Sequence, residues 1–321
     1  MLPNVKIRTK VFGLTLVPLI LLTFIISLSS TTKITDSLLD NNYNSLKTAR
    51  DIKKIQIENY FERIKSNIEV FTKTQTLKSF VLEFSNLDDI EELTIEEKEK
   101  FPIDDENIQR MSQRQDGFFN LFLESYNLSN IHLASLDYGH IIYSAVKNKD
   151  YGENLLHSSL QDSHLTKLYK KVKETKKTQI SDMEHYSILN YPAMFVATPV
   201  IIDGYFESIL IFQIKPEKIN EIMEFRKGYG STQQDYLVGA DKHLRSDTYL
   251  DKSSFNINTK QEINTLSTQL GSKDKSGIHD ITNYKGNEVL SAYATINVGS
   301  DIKWLIISEI NEDEINDLPH T

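Results

Sequence analysis

The first strong pattern along the chain is an apolar run without a charged residue, residues 11–32. As a helix rising 1.5 Å per residue, this run would extend about 33 Å, enough to cross the hydrocarbon core of a bilayer. The residues before it carry three positive charges and no negative one, at Lys6, Arg8 and Lys10. Because basic flanks stay in the cytoplasm, we predict a cytoplasmic tail over 1–10 and a transmembrane helix over 11–32.

A cleaved signal peptide is the alternative interpretation of this run, because Ser27 and Ser29 resemble the small residues of a cleavage site. The run is longer than the ~7–15 apolar residues of a typical signal peptide. Pro18 lies inside it, but membrane helices tolerate proline. The sequence therefore favours a retained anchor in the inner membrane, which would leave residues 33–321 extracytoplasmic.

A helical pattern follows the apolar run. Five apolar residues recur at alternating steps of four and three: Ile57, Phe61, Ile64, Ile68 and Phe71. This spacing is typical of the seam between paired helices. Neither Gly nor Pro occurs between Pro18 and Pro102, so we predict a stalk helix over 33–84, about 75 Å long. The seam packs either on its own domain or on a second copy, as a homodimer through the long helix.

An acidic segment separates this helix from the rest of the chain. Residues 88–106 hold ten acidic and two basic side chains, which indicates a solvated connector. Calcium binding is the alternative, although the spacing matches no EF-hand loop. Asp104 or Asp105 is expected at the start of the next helix, over 106–126, where a carboxylate suits the positive helix end.

The remaining chain alternates apolar and polar residues in short runs, which predicts strands. The first set has the order strand, strand, helix and three strands: 130–137, 140–146, helix 163–177, 181–188, 194–202 and 205–214. Asp203 and Gly204 supply the tight turn of its last hairpin. The same order recurs further along: 235–240, 243–247, helix 259–270, 276–281, 287–296 and 302–310. The pattern predicts two similar α+β modules in series.

Composition narrows the function. The 321 residues carry a net charge of −9 and include no cysteine, so disulfides and thiolate sites are excluded and no nucleic acid is expected as a partner. No phosphate-binding loop, nucleophile elbow or zinc-spaced histidine pair occurs. Gly228 and Gly230 mark a turn, because the third glycine of a phosphate loop is missing. We therefore expect no enzyme activity, no cofactor and no metal.

Four stretches resemble the double Cache (dCache) sensor domain of bacterial chemoreceptors, sensor kinases and transmembrane nucleotide cyclases: IENYFERIKSNIEVFTKTQTL, SLDYGHIIYSAVKNKDYGENL, AMFVATPVIIDGYFESILIFQI and IMEFRKGYGSTQQDYLVGADKHLRSD. The resemblance covers residues 11–312 and implies two PAS-like Cache modules, a membrane-distal one over 85–225 and a membrane-proximal one over 226–312, before a tail over 313–321. Such receptors continue into a second membrane helix and an output domain.

The resemblance implies a chemoreceptor sensor, of the methyl-accepting chemotaxis type, that binds a small molecule in the distal module. A sensor kinase or cyclase is the first alternative, and an envelope enzyme or an assembly scaffold is the second. Candidate ligand-binding residues are Tyr143, Asp182, Tyr186, Tyr191, Phe195, Thr198 and Gln213.

Tyrosine rings suit an apolar or cationic ligand and Asp182 an amine, although the same rings could simply fill the core. Amino-acid-binding family members resemble one another in an Arg before Trp-Tyr and in an Asp ending the last strand. Residues 184–195 contain neither Arg nor Trp, and Gln213 stands near the Asp position. A free amino acid is therefore disfavoured.

Overall fold

The computed structural model describes residues 7–86, 99–250, 262–273 and 275–316, with side chains of the first helix at residues 12, 15–26 and 40–71. The helices in these ranges are α1 Ile7–Phe71, α2 Gln75–Ser85, α3 Glu106–Ser125, α4 His164–Thr175, α5 Pro216–Glu224, α6 Leu266–Gly271 and α7 Glu312–Asn316. The strands are β1 Leu128–Ser135, β2 Ile141–Ser144, β3 Gln179–Ile180, β4 Glu184–Tyr186, β5 Tyr191–Ile202, β6 Tyr205–Ile214, β7 Gln234–Val238, β8 Gly277–Thr282, β9 Glu288–Asn297 and β10 Lys303–Asn311.

Helix α1 has 65 residues and continues from the predicted membrane span into the predicted stalk. The prediction of one helix to residue 84 is wrong after Phe71, because the chain turns and α2 begins at Gln75. The hydroxyl of Thr72 donates to the Glu69 carbonyl, and that of Thr74 to the Phe71 carbonyl, at 2.8 Å each. The Thr72 hydroxyl thereby satisfies a carbonyl of the last helical turn, and the Phe71 carbonyl also accepts from the Thr74 backbone N–H.

No helix in the described part of the chain is both long enough and apolar enough to cross a membrane. The predicted membrane span over 11–32 lies partly outside the described side chains. Residues 88–98 of the acidic connector lie outside the described ranges altogether. Asp105 is confirmed at the start of α3, where its carboxylate accepts hydrogen bonds from the backbone N–H groups of Asn107 and Ile108.

The helical seam of α1 packs on its own chain. All five seam residues are at most 2% exposed and belong to the main hydrophobic core. Phe61 meets the edge of Trp304 from the last strand, with ring centroids 5.4 Å apart, and Phe71 meets Phe119 of α3 at 5.5 Å. Of the two interpretations of the seam, packing on its own domain is therefore confirmed for this part of α1.

The predicted α+β class with two antiparallel sheets is confirmed. The first module, residues 99–224, has the strand order β2-β1-β6-β5-β3, with β4 paired to β5. Asp203 and Gly204 form the β5–β6 turn with φ angles of 51° and 86°, which suits a two-residue hairpin. One sheet face packs on α1, α2 and α3 and is called the helical face; the other packs on α4 and is called the α4 face.

The second module, residues 226–311, repeats this arrangement with the order β7-β10-β9-β8. The predicted strand over 243–247 is reduced to a single bridge between Val238 and Leu244. The predicted helix over 259–270 begins at Leu266 as α6, and residues 251–261 lie outside the described ranges. Gln213 and Glu309 hold equivalent places in the two sheets. Gln213 on β6 lies between β1 and β5, and Glu309 on β10 lies between β7 and β9.

Candidate ligand-binding site

Buried polar side chains gather on the α4 face of the first module, between apolar residues of the sheet and of α4. They are called the polar cluster and comprise Asn130, His132, Ser144, Asp150, His164, Tyr186 and Gln213. Each is at most 4% exposed. Polar groups at this depth are expensive to bury unless something forms hydrogen bonds with them.

Strand alternation brings the cluster together. In β1, Ile131 and Leu133 point into the core of the helical face, so Asn130 and His132 point to the α4 face. Asn130 lies opposite Gln213 on β6, and His132 lies opposite Ser144 on β2. Three strands therefore place polar side chains on one patch of the sheet.

Asp150 is the acidic centre of the cluster. It follows β2 in a loop and is completely buried. The Tyr186 hydroxyl donates to its Oδ2 at 3.1 Å, and the His132 Nε2 lies 3.6 Å from the same oxygen. Its Oδ1 has no hydrogen-bond partner. The carboxylate therefore has one free acceptor oxygen directed into the protein interior.

Several other atoms of the cluster lack hydrogen-bond partners among the described residues. They are both ring nitrogens of His132, Nε2 of His164 and Oε1 of Gln213. Each unsatisfied buried group destabilises a fold by about 1–3 kcal/mol. Four side chains with unpaired atoms therefore lie in one patch, where they could form hydrogen bonds with a bound molecule.

Burial sets the protonation of both histidines. It lowers the pKa of the fully buried His132, against the raising effect of Asp150 and Gln213. Burial also lowers the pKa of His164 to about 4. The pKa of Tyr186 is raised by burial first, and then by the neighbouring Asp150 and Glu153 carboxylates. Near pH 7 both imidazoles are neutral, and the Tyr186 hydroxyl keeps its proton.

Aromatic rings border the polar cluster. The Phe195 ring lies 5.2 Å from the Tyr186 ring, edge to face, and 5.2 Å from the His164 ring. Phe195 and Ala197 of β5 belong to the apolar core of this face, together with Ile211 of β6. The site thus combines apolar rings with convergent polar atoms, the usual composition of a small-molecule site.

Three of the residues predicted from the sequence meet in this place: Tyr186, Phe195 and Gln213. Tyr143 does not, because its strand position points it to the helical face. There its hydroxyl donates to Asp116 at 2.9 Å and its ring packs 4.2 Å from Phe119.

The other three predicted residues also have partners elsewhere. The Asp182 carboxylate accepts from Arg245 and from the Trp304 indole N–H at 2.8 Å, so it already has a cationic partner, and its pairing with an amine stays a prediction. Tyr191 is 45% exposed and donates to Glu217 at 2.7 Å. Thr198 bonds Thr178 at 2.8 Å, beside a groove between α1 and the C-terminal end of α4.

Sequence reasoning missed His132, Asp150 and His164. A signal existed for His132, because Asn130 and His132 alternate with Ile131 and Leu133 and therefore lie on one side of a buried strand. Asp150 and His164 had no such signal, since they come from a loop and from the first residue of α4.

No three His, Asp or Glu side chains in the described ranges come close enough together to hold a metal ion.

No family model and no curated protein matches the chain. Solved structures share its fold. The ligand-binding domain of the Campylobacter jejuni chemoreceptor Tlp3 with L-norvaline superposes with a TM-score of 0.57 at 12% identity, over 89% of this chain and 96% of that one. The ligand-binding domain of the Pseudomonas aeruginosa PAO1 chemoreceptor PctB with L-Arg gives 0.53 at 12% identity, over 87% and 99%.

A sensor of another receptor class is similar to the same degree. The extracellular domain assigned to the histidine kinase vpHK1S-Z8 gives a TM-score of 0.54 at 11% identity, over 88% of this chain and 95% of that one. The two-module architecture expected from the dCache resemblance is therefore confirmed: the chain has the fold of the sensory domains of bacterial chemoreceptors and sensor kinases.

Proposed function

We propose that this chain is the ligand-binding sensor region of a bacterial transmembrane receptor of the methyl-accepting chemotaxis type. The observation that carries the proposal is the polar cluster, a buried set of unpaired polar atoms on the α4 face of the first module of a sensory-domain fold. The chain itself acts by binding and performs no catalysis. A ligand that satisfies these atoms would bind one conformation better than another and so shift the equilibrium between them.

The contacts of the first module offer a route for this shift. Tyr186 of the cluster lies on β4, four residues after Asp182. Asp182 is held by Arg245 and Trp304 of the second module, and Trp304 packs against Phe61 of α1. A displacement of β4 on ligand binding would therefore reach the long helix through two side-chain contacts.

A sensor kinase or nucleotide cyclase is the second candidate, supported by the kinase sensor that shares the fold. The ligand-binding step is the same in both cases, and the difference lies in the output domain. Sequencing the gene downstream of the Thr321 codon tests this choice: a methyl-accepting signalling domain supports the chemoreceptor, and a kinase or cyclase domain supports the alternative.

We expect a membrane anchor at residues 11–32, with residues 33–321 outside the cytoplasm. The described large apolar side chains from Phe12 to Ile26 are between 39% and 64% exposed, a surface that a bilayer would cover. Protease treatment of intact spheroplasts tests the topology. Cleavage within residues 99–316 is expected, and protection of that region until lysis would contradict it.

We also expect a homodimer through α1. Because the seam is used within the chain, the exposed side of the helix must supply the contact, and it carries Ile52, Ile55 and Val70, each more than half exposed. Sedimentation of the detergent-solubilised chain and of an Ile52→Asp, Ile55→Asp variant tests this expectation. A dimer that dissociates in the variant supports it, and an unchanged mass in both contradicts it.

Ligand binding itself is tested by thermal unfolding of the full chain with a library of amines, organic acids, nucleobases and sugars. A ligand at 100 times its Kd stabilises a protein by about 2.7 kcal/mol, so a true ligand raises Tm by several degrees. A flat response across the whole library would overturn the sensor proposal.

A further inference from the structure

We propose that the ligand of the polar cluster is a small organic cation, a protonated amine or a nitrogen heterocycle, with Asp150 as its counter-ion. This inference rests on the proposed function and specifies its ligand class. It also sets this chain apart from a receptor built around the carboxylate of a free amino acid.

The charge balance of the cluster calls for a cation. Asp150 is fully buried, and its one ion-pair partner in the described ranges is His132, whose imidazole is neutral near pH 7. Lys167, the cation that acts on nearby His164, has an exposed side chain. A buried carboxylate without a cation is strongly disfavoured, and a bound cation would remove that penalty.

The hydrogen-bonding balance points the same way. Asp150 Oδ1 and Gln213 Oε1 both lack a hydrogen bond of normal geometry, although Gln213 acts on the His132 ring, and both oxygens can only accept. The neutral His164 ring adds one unpaired nitrogen, and the neutral His132 ring adds one acceptor nitrogen and one donor N–H. A ligand that donates several hydrogen bonds would satisfy the acceptor atoms, whereas a carboxylate or phosphate would face Asp150, which forms no ion pair with an arginine or lysine among the described residues.

The rings of the site suit the same ligand class. Tyr186 and Phe195 meet edge to face beside Asp150. Aromatic faces attract ammonium and amidinium groups within about 6 Å. An amine that carries an aromatic or short aliphatic group would therefore place its charge on Asp150 and its apolar part on these rings.

The test compares matched probes on the full chain in detergent: 2-phenylethylamine, 2-phenylethanol and phenylacetate, followed by a library sorted into cations, neutral compounds and anions. Thermal shift identifies the binders and calorimetry measures Kd. Asp150→Asn is the test variant. Asp116→Asn is the matched control, because Asp116 also accepts from a tyrosine of this module but lies on the helical face with Lys147 as its partner.

The expected result is that the binders are cations and that Asp150→Asn weakens them at least 30-fold, while Asp116→Asn changes Kd less than threefold. Binders that are mainly anions, or cations that bind Asp150→Asn equally well, would overturn the ligand class and leave the sensor function standing. Absence of any binder in all three classes would overturn both.

Two further measurements do not require ligand binding by the Asp150→Asn variant. In the ligand-free chain this variant removes an uncompensated buried charge, so its Tm should rise by a few degrees; a lower Tm would mean that the charge is already balanced and would overturn the proposal. Gln213→Glu adds a second carboxylate to the cluster and should tighten cation binding several-fold. Weaker cation binding in this second variant would count equally against it.

Discussion

Arg245 of the second module forms a bidentate ion pair with Asp182 of the first. Its Nε and Nη2 atoms lie 3.1 Å and 2.9 Å from the two carboxylate oxygens. The two residues are 63 positions apart in sequence. Arg245 is only 3% exposed and also contacts Asp241, and the Trp304 indole N–H donates to the same Asp182 carboxylate. This group of side chains fastens the β3–β4 loop to the second module.

Arg245→Met should lower the free energy of unfolding by about 3 kcal/mol, because it leaves a partly buried carboxylate without its cation. Urea denaturation measures this change. The control is Asp301→Asn, which removes a second ion pair between the modules. In that pair the Asp301 side chain is 71% exposed and the Lys171 side chain is 35% exposed. Exposed pairs contribute about 0–1 kcal/mol, so equal effects of the two variants would contradict the structural role of Arg245.

Gly239→Ala should disturb the same contact through steric overlap. A Cβ at Gly239 would lie 2.3 Å from the Arg245 guanidinium, which its partners hold in place. A loss of about 1–3 kcal/mol in unfolding free energy is expected. Gly117→Ala is the control, because Gly117 lies exposed in α3 with open space around it, and alanine there should stabilise the helix by up to about 1 kcal/mol.

Gln213→Leu should separate stability from binding. Leucine removes a buried amide whose oxygen is unpaired, so the ligand-free chain should gain about 1 kcal/mol, while the ligand-induced rise in Tm should disappear. Tyr143→Phe should do the reverse, with a loss of about 1 kcal/mol from the missing bond to Asp116 and an unchanged ligand response. A Gln213→Leu chain that still responds to ligand would exclude this residue from the site.

Lys53 should make stability rise with pH. Burial lowers its pKa in the folded chain to about 8 from an ordinary value of 10.5, and its Nζ donates to the Met223 carbonyl at the end of α5. Between these values the unfolded chain binds more protons than the folded one, so folding becomes more favourable as pH increases. Urea denaturation at pH 7.5, 8.5 and 9.5 should show this rise.

Lys53→Met should flatten that profile. The adjacent Lys54→Met is the control, since Lys54 is about one-third exposed and faces Glu58 across one turn of the helix. Parallel profiles for the wild type and Lys53→Met would show that Lys53 does not titrate in this window.

The seam of α1 should be far more sensitive than its outer side. Ile64 is 2% exposed and Ile55 is 56% exposed. Ile64→Ala should lower the free energy of unfolding by about 2–5 kcal/mol, and Ile55→Ala should change it by less than about 0.5 kcal/mol in the monomer. Denaturation at low protein concentration separates this effect from dimer dissociation, and equal losses would contradict the packing of the seam.

Local patterns in the sequence determined most of the elements. The spacing from Ile57 to Phe71 predicted the buried side of α1, alternation predicted the long strands, and Asp203-Gly204 predicted its hairpin. These features depend on residues a few positions apart, which share one helix face or one side of a strand. The break at residues 72–74 could not be foreseen this way, because threonine hydroxyls and the packing of α2 decide it and neither Gly nor Pro marks it.

The partners of polar side chains were decided only by the tertiary structure. Asp150 meets His132 because the loop after β2 folds back beside that strand, and Asp182 meets Trp304, 122 residues away, because the two modules pack together. Sequence alone offered Asp182 as the anchor for an amine, since nothing local revealed the arginine that pairs with it. Local periodicity determines which face a residue lies on, but burial and long-range pairing determine which charged groups meet.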